Sequence, residues 1–528
     1  MEKLYQNRRI IFVLSAILIF VCYLSFLFAP FYFDDFYNIV HNPYLNSPIS
    51  SLKCNLGGSR PLAYLWFYMD KTIFGLNPFY FRMENIIGHL LNFILVFNVI
   101  KKLTSKYGDK DSFLISFFTA LLWGLHPINS QSVAYIVQRM NEVAVFFTLA
   151  GFLFYLDFVN NRKIRDLFFV VICLILGLGF KETAILLIPL CLLHYFLFVD
   201  KKKAIFGLVL FVIISLSIVL FLPQFQKVLP LDYLIGKQVN DKHFTIFQKF
   251  ITSFKVIIDY IIVFVFPLFK NIHLYYDFAI EKNLFSAKVL FPLIFILLCL
   301  GFAVYQYKKD KLMSFSIFAF FFLLFPENSF LPLDIAYQHR MYLPSVFLSL
   351  IVVVLFFKFL KKDRFVLVLS FMLIFLAINL VVRGVVFSIP EKFYKNEINH
   401  APDNVKIYIN AAKNLIEAGD LEDAYFYLKR GIKRFPDNAL LATNMGLYYA
   451  KTGDLSRAIY WYKRAERKDN PFLKEVHWSL AILFLEKHDF NNAKKYINIL
   501  KKENFAKEKI EFLENKVIEF YSAEATSE

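Results

Sequence analysis

The chain has 528 residues, of which 58% are hydrophobic and 66 are Phe, and only 19% are charged. A soluble protein of that size would expose more apolar surface than water tolerates, so the composition excludes a wholly soluble fold. The net charge of +17 reads as basic loops on one side of a membrane; nucleic-acid binding is set aside because no basic stripe interleaves with a stacking platform.

Apolar runs of about 20 residues, most of them long enough to span a bilayer, recur from the N-terminus to about residue 382. The first, residues 10–29, is long and has no small-residue cleavage site after it, so it is expected to remain as a helix. Of the five cysteines, Cys22, Cys173, Cys191 and Cys299 fall inside apolar runs and Cys54 lies in a loop. Neither a disulfide framework nor a metal spacing follows from them.

Immediately beyond the first run stands Phe31-Tyr32-Phe33-Asp34-Asp35-Phe36-Tyr37. Two carboxylates among five aromatics at a membrane boundary lose much of their hydration, and desolvation raises a carboxyl pKa. A base tuned that way can take a proton from an alcohol while a lipid-borne group waits at the membrane edge. The same pair also fits the start of a loop helix, where Asp satisfies orphan N–H groups. Neighbouring side chains in extended backbone point to opposite faces, so the two are not expected to act on one atom.

Basic clusters at Lys3/Arg8/Arg9, Lys101/Lys102/Lys106, Arg162/Lys163/Arg165, Lys201/Lys202/Lys203, Lys308/Lys309/Lys311 and Lys361/Lys362/Arg364 are all expected to face the cytoplasm. Pairing the apolar runs between them predicts spans at residues 10–29, 79–100, 113–125, 143–159, 167–180, 183–199, 204–221, 287–305, 314–325, 342–360 and 365–382. Residues 251–269 are left as an interfacial or re-entrant segment, because they contain Lys255 and Asp259 and end near Pro267. The result is about 11 crossings, with a cytoplasmic N-terminus and everything beyond Arg383 extracytoplasmic. The outer side then receives residues 30–78, 126–141, 181–182, 222–286 and 326–341. Asp34, Asp35, Arg60, Arg82, Arg139, Lys181 and Arg340 fall on or near that side.

After residue 400 the pattern changes. Pro402-Asp403-Asn404 recurs 34 residues later as Pro436-Asp437-Asn438, and Gly419-Asp420-Leu421 recurs as Gly453-Asp454-Leu455. His488-Asp489-Phe490 follows one residue late. Small residues keep step at Ala412, Gly446 and Ala481, and at Ala424, Ala458 and Ala493. This spacing predicts a tetratricopeptide-repeat α-solenoid over 391–528, with repeats at 402–435, 436–470 and 471–504 and a capping helix at 506–521. Its concave face suits an extended peptide, and an assembly surface without a substrate role is the equal alternative. Tyr448, Tyr449, Trp461 and Trp478 are expected in its core. Residues 1–390 form the membrane domain, and the predicted fold class is all-α throughout.

Several motifs in order along the chain resemble one family. Phe33-Asp34-Asp35 with Asn42-Pro43 comes first, then Ser59-Arg60-Pro61-Leu62 and Gly75-Leu76-Asn77-Pro78-Phe79, with Asn85 and His89 following. Next come Leu125-His126-Pro127 with Val133, Ile136 and Arg139, then Lys181-Glu182, and finally Arg340-Met341-Tyr342-Leu343-Pro344-Ser345. With the repeats behind them, the set resembles the transmembrane and tetratricopeptide-repeat O-mannosyltransferases and their bacterial relatives, on the glycosyltransferase superfamily C fold. The chain departs from the eukaryotic pattern at Asn141, which is followed by Glu142, and at His339, and its repeat array is short.

The resemblance implies a polyprenyl-phosphate-linked sugar as donor and transfer to Ser or Thr hydroxyls of exported proteins at the outer face of a bacterial inner membrane. Asp34 or Asp35 would be the base. Arg340, Arg139, Lys181 and Arg60 would meet the phosphate, through charge and, for Arg, a planar fork. Each of those cations also fits simple snorkelling to headgroups, and Lys181 with Glu182 fits an internal ion pair. His89, His126, Glu142, Glu182 and Arg82 are supporting residues, the two histidines being expected as packed, hydrogen-bonded groups. No cofactor is expected. A divalent ion between the Asp pair and the donor phosphate stays open, although no His/carboxylate cluster has ordinary metal spacing. Two other readings compete: a transferase of the same fold that modifies a lipid or surface glycan, and a membrane-anchored repeat scaffold or transporter. Candidate charges gathered on one side favour chemistry there over a route through the membrane.

Overall fold

The structure is a computed structural model describing residues 6–53, 60–209, 244–329, 331 and 333–525. Lys3, Cys54, Ser59, residues 210–221 of the 204–221 run and residues 222–243 of the 222–286 segment lie outside the described residues. All regular structure among the described residues is helical. The chain divides into two units, Met1–Phe393 and Tyr394–Glu528.

In the first unit the principal helices are α1 (Arg8–Tyr23), α2 (Pro61–Phe74), α3 (Pro78–Leu103), α4 (Asp109–Leu125), α5 (Arg139–Asn161), α6 (Ile164–Phe180), α7 (Leu187–Phe198), α8 (Ile246–Val265), α9 (Ala287–Gln306), α10 (Lys311–Leu324), α11 (Pro344–Phe359) and α12 (Lys362–Ser388). Local chemistry sets several starts. Pro78 occupies the first turn of α3, where its missing N–H costs nothing, and the Asn77 side chain accepts from Phe79 N at 3.1 Å. Asp310 caps α10 through Leu312 N and Met313 N. Thr245 and Gln248 form a reciprocal capping box on α8.

Helix α3 packs on both α4 and α5, α11 packs on α4 and α10, and α12 lies against α1. Large apolar side chains such as Leu14, Ile17, Phe168, Leu298 and Phe371 remain exposed on the outside of this unit. That inversion of the soluble pattern suits a lipid solvent.

Five described helical stretches are long and apolar enough to cross a membrane: Arg8–Phe28, Pro78–Leu103, Ile136–Asn161, Ala287–Gln306 and Lys362–Ser388. A sixth arises if Asp109–Leu125 and Pro127–Ala134, bent by 53°, count as one. The bend sits where Pro127 forces His126 into extended backbone (φ −72°, ψ 121°). Helices α10 and α11, with 14 and 16 residues, reach only roughly 21–24 Å against a hydrocarbon core of ~30 Å. Against the expected 11 crossings, five or six helices qualify by length and composition among the described residues.

The second unit contains α13 (Val405–Ala418), α14 (Leu421–Arg434), α15 (Ala439–Lys451), α16 (Leu455–Ala465), α17 (Leu473–Glu486), α18 (Phe490–Lys502) and α19 (Lys507–Ala525). Consecutive helices pack as pairs: α13 with α14, α15 with α16, α17 with α18. The recurring Gly-Asp has a mechanical basis. Gly419 and Gly453 both take φ +82°, the left-handed stop that a side chain resists, and Asp420 and Asp454 then cap the next helix through Asp423 N and Arg457 N. His488 takes φ +57° in the third position, ahead of Asp489 capping at Asn492 N. The small residues mark close crossings: a Cβ on Gly446 would stand 2.8 Å from the Tyr462 ring. Tyr449, Trp461 and Trp478 pack against the apolar core of this unit, and Tyr448 stacks on Tyr425.

Candidate active site

After α1 the chain passes through a 3₁₀ turn, Leu24–Phe28, and reaches the acid pair. Phe33 takes φ +48°, a conformation that costs a non-glycine residue roughly 1–2 kcal/mol. It is held there by aromatic neighbours: Tyr275 at 4.9 Å between ring centroids, Phe393 at 5.7 Å and Tyr135 at 6.4 Å. The turn sends the two acids in different directions. Asp35 is fully buried and Asp34 is exposed.

Asp35 is tied into the protein. Its carboxylate accepts from Tyr32 N at 3.1 Å and from Val137 N at 2.9 Å. Burial pushes the Asp35 carboxyl up to about 7, against the opposing pull of Arg82 and the two N–H groups. Arg82 is also buried; it donates to Ala134 O at 2.9 Å and to the carbonyls of Ala29 and Pro30. Together Asp35 and Arg82 fix the exit of the first helix to the segment before α5. The backbone N–H of Asp34 donates to the Tyr135 hydroxyl at 2.8 Å, and its carbonyl accepts from Asn38 Nδ2 at 2.8 Å. Tyr64 on α2 in turn donates to Asn38 Oδ1.

A second cluster gathers residues from four segments. Lys181 is buried and donates to Asn141 Oδ1 at 3.0 Å, with Glu327 Oε1 at 3.3 Å. Arg60 pairs with Glu182 at 3.1 Å, both of them partly exposed. Arg340 donates to Asn328 Oδ1, Ile335 O and Asp334 O at 3.2, 3.0 and 2.7 Å. His339 has its N–H on Gln131 Oε1 at 2.7 Å and its carbonyl on Asn141 Nδ2 at 3.2 Å. Buried Nδ1 of His339 and Nε of Arg340 make no hydrogen bond. Asn141, Glu327, His339 and Arg340 line a narrow cavity of about 20 Å³, room for a water molecule.

Three cations meet two carboxylates in this cluster, and the ionisable groups register the surplus. Burial pushes the Glu327 carboxyl up, but Lys181, Arg340 and Arg60 bring it below its ordinary value. Burial lowers Lys181, against the opposing pull of Glu327 and with a smaller contribution from Arg60. Burial and the same three cations hold His339 well below the usual imidazole range. Of the three, the Glu327 shift reports the surrounding positive charge, because it runs against burial; the other two follow burial first.

Tyr337 lies between the cluster and the acid pair. Its ring sits under the Arg340 guanidinium at 5.6 Å, and its hydroxyl is raised by burial and by Asp334, with Asp34 also adding to the shift. Tyr260 on α8 grips its backbone, donating to Tyr337 O and accepting from Tyr337 N, both at 2.8 Å. Lys249, one face along the same helix, donates to the carbonyls of Glu327 and Leu331.

The structure brings Arg60, Lys181, Glu182 and Arg340 together and leaves Arg139 and Arg82 apart. The Arg139 donors are spent elsewhere, on Asp70, on Asn85 Oδ1 at 2.8 Å and on Phe81 O at 2.6 Å, with Glu84 at 3.0 Å. Glu142 is buried; its Oε1 accepts from the Tyr342 hydroxyl at 3.4 Å. His89 bridges Tyr342 Oη (2.8 Å) and Gly124 O (3.0 Å). His126 accepts from Ile128 N through Nδ1, which leaves the proton on Nε2 for Phe264 O at 2.9 Å. Sequence reading missed Glu327, Asn141 as a Lys181 partner, Tyr337 and Asp70. Only Glu327, a lone acid closing an apolar run, carried a local signal. Among the described residues no group of three or more His, Cys, Asp or Glu could hold a metal ion.

No family model matches the chain. It is 24% identical to Protein O-mannosyl-transferase F38B6.6 of Caenorhabditis elegans over 79% of its own length and 62% of that protein's. It is 29% identical to human Protein O-mannosyl-transferase TMTC1 over 35% of its length and 23% of the relative's, and 30% identical to mouse Protein O-mannosyl-transferase TMTC3 over 25% and 15%. The matched part thus covers less than two thirds of each of these relatives. The curated homologues that this chain resembles are protein O-mannosyltransferases of the TMTC family.

Proposed function

We propose that this chain is an integral-membrane glycosyltransferase that moves a hexose, such as mannose, from a polyprenyl-phosphate donor to Ser or Thr hydroxyls of exported proteins. One observation carries the reading: an exposed carboxylate, Asp34, and Arg340 both act on Tyr337, and Arg340 acts together with Lys181 and Arg60 on the neighbouring His339. Asp34 accepts the proton of the acceptor hydroxyl while that oxygen bonds to the sugar's anomeric carbon. The bond from that carbon to the phosphate oxygen breaks, its electron pair stays on the phosphate, and the cluster stabilises the charge. Asp35 and Arg82 position the turn. Arg139, with Asp70 and Glu84, braces α2 against α3 and α5. The polypeptide's short apolar helices would complete the 11 crossings of a GT-C-like domain in a bacterial inner membrane. The N-terminus would be cytoplasmic, and the second unit a periplasmic tetratricopeptide-repeat clamp for the acceptor.

The test is transfer by the purified full chain from a polyprenyl-phosphate sugar to a Ser/Thr-containing protein. Asp34→Asn is expected to lower the rate by about 10²-fold or more with insertion intact. Full activity in both Asp34→Asn and Asp35→Asn would overturn the reading. Mass spectrometry of exported proteins with and without the chain would report sugar and acceptor together.

A further inference from the structure

The opposite end of the first unit carries a cavity that the transfer chemistry does not use. At the N-terminal end of α1, Arg8, Arg9, Phe12 and Val13 face Phe97 and Lys101 of α3 and Phe113 of α4 across a cleft of about 470 Å³. Clefts of this size, about 300–1,000 Å³, hold small ligands. Its floor is aromatic: Phe12 lies 4.9 Å from both Phe93 and Phe97, and Phe97 lies 5.9 Å from Phe113. Its rim is cationic. Arg8 and Lys101 share one carboxylate, Asp109, at 3.2 and 3.6 Å, and Arg9 brings a third positive charge. Both ion pairs are roughly half exposed, so their side chains can turn to another anion at little cost.

We propose that this cleft is a binding site for one anionic glycerophospholipid. Charge complementarity selects the occupant. Among the described residues three cations stand over a single carboxylate, which calls for an anion, and an aromatic floor beside exposed Val13 calls for an acyl chain on the same molecule. A free anion leaves the apolar wall wet, and a zwitterionic lipid leaves the cationic rim uncompensated. The site depends on no step of the proposed transfer.

The experiment is native mass spectrometry of the purified, delipidated full chain after addition of phosphatidylglycerol or phosphatidylcholine. One phosphatidylglycerol is expected to be retained at least tenfold more strongly than phosphatidylcholine. Each cation removed is expected to weaken retention about fivefold, so the Arg9→Ala/Lys101→Ala variant loses about 25-fold. Arg9→Lys/Lys101→Arg should retain the lipid, which separates lost charge from lost folding. Lys201→Ala/Lys202→Ala, at another basic loop, should leave retention unchanged. Equal retention of the two lipids overturns the proposal. So does an unchanged double-alanine variant, an equal loss in the Lys201/Lys202 variant, or displacement of the lipid by inorganic phosphate alone.

Discussion

Removing either member of the Lys181–Glu327 pair tests the electrostatic account of the cluster. The two side chains are 7% and 15% exposed and their charged atoms are 3.3 Å apart. At an effective dielectric of about 20, charges at that distance attract by roughly 5 kcal/mol. Lys181→Met leaves Glu327 with Arg340 and Arg60 still nearby, so its loss should be the smaller one, about 2–3 kcal/mol. Glu327→Gln leaves a buried ammonium among two guanidiniums, and should cost about 3–5 kcal/mol. The double variant removes both orphans and should cost less than the sum, giving a coupling of about 2 kcal/mol or more. The assay is thermal unfolding of the full chain in nanodiscs, followed by hydrogen exchange at 139–186 and 311–345. Additive losses, with coupling below about 0.5 kcal/mol, would refute the idea that these groups form one buried electrostatic unit. Glu327→Gln should also tighten binding of the donor phosphate where it survives, since it raises the local positive charge.

Three further outcomes follow from the geometry. The folded-state pKa of Asp35 is raised from 3.8 to about 7, so the folded chain holds a proton there that the unfolded chain has released. Stability is therefore greatest below pH 3.8 and falls as pH rises towards about 7, by about 4 kcal/mol in all; Asp35→Asn should flatten that slope in unfolding measured from pH 4 to 8, and an unchanged slope would refute it. Gly419→Ala meets no atom within 4 Å, so it should cost only the left-handed backbone term, about 1–2 kcal/mol, whereas Gly446→Ala collides with Tyr462 and should shift the α15–α16 packing as seen by hydrogen exchange. Arg139→Lys cannot serve Asp70, Asn85 and Phe81 at once, and should lower the unfolding temperature without changing donor KM in the survivors; a selective KM rise would return Arg139 to the phosphate.

The helical class, the apolar runs and the repeat spacing were legible because each depends on residues a few positions apart. Gly419-Asp420 and Gly453-Asp454 are stop and start signals readable from either copy. The crossings were harder, because 3₁₀ turns at Leu24–Phe28 and Glu182–Leu186 fall inside apolar runs that read as continuous. Within the candidate site, Arg60, Lys181 and Arg340 stood out as cations at the ends of apolar runs. Their partners did not, since Lys181 meets Asn141 and Glu327 across 40 and 146 residues of chain. Arg139 stood among the phosphate candidates, and its acid partner, Asp70, lies on α2, in a stretch that reads as part of a loop. The separation of Asp34 from Asp35 was expected from extended backbone, but its cause is the positive φ of Phe33.

That left-handed residue also governs when the proposed site can form. A strain of roughly 1–2 kcal/mol favours the relaxed turn by about 5- to 30-fold in a chain that lacks the surrounding rings. Tyr135, Tyr275 and Phe393 arrive about 100, 240 and 360 residues after Phe33 during synthesis. Until the last of them packs, the two acids have no fixed division between a wet and a dry face. The proposed site thus forms only when the first unit is complete, and a nascent chain that has inserted only its early helices carries the acid pair without that division.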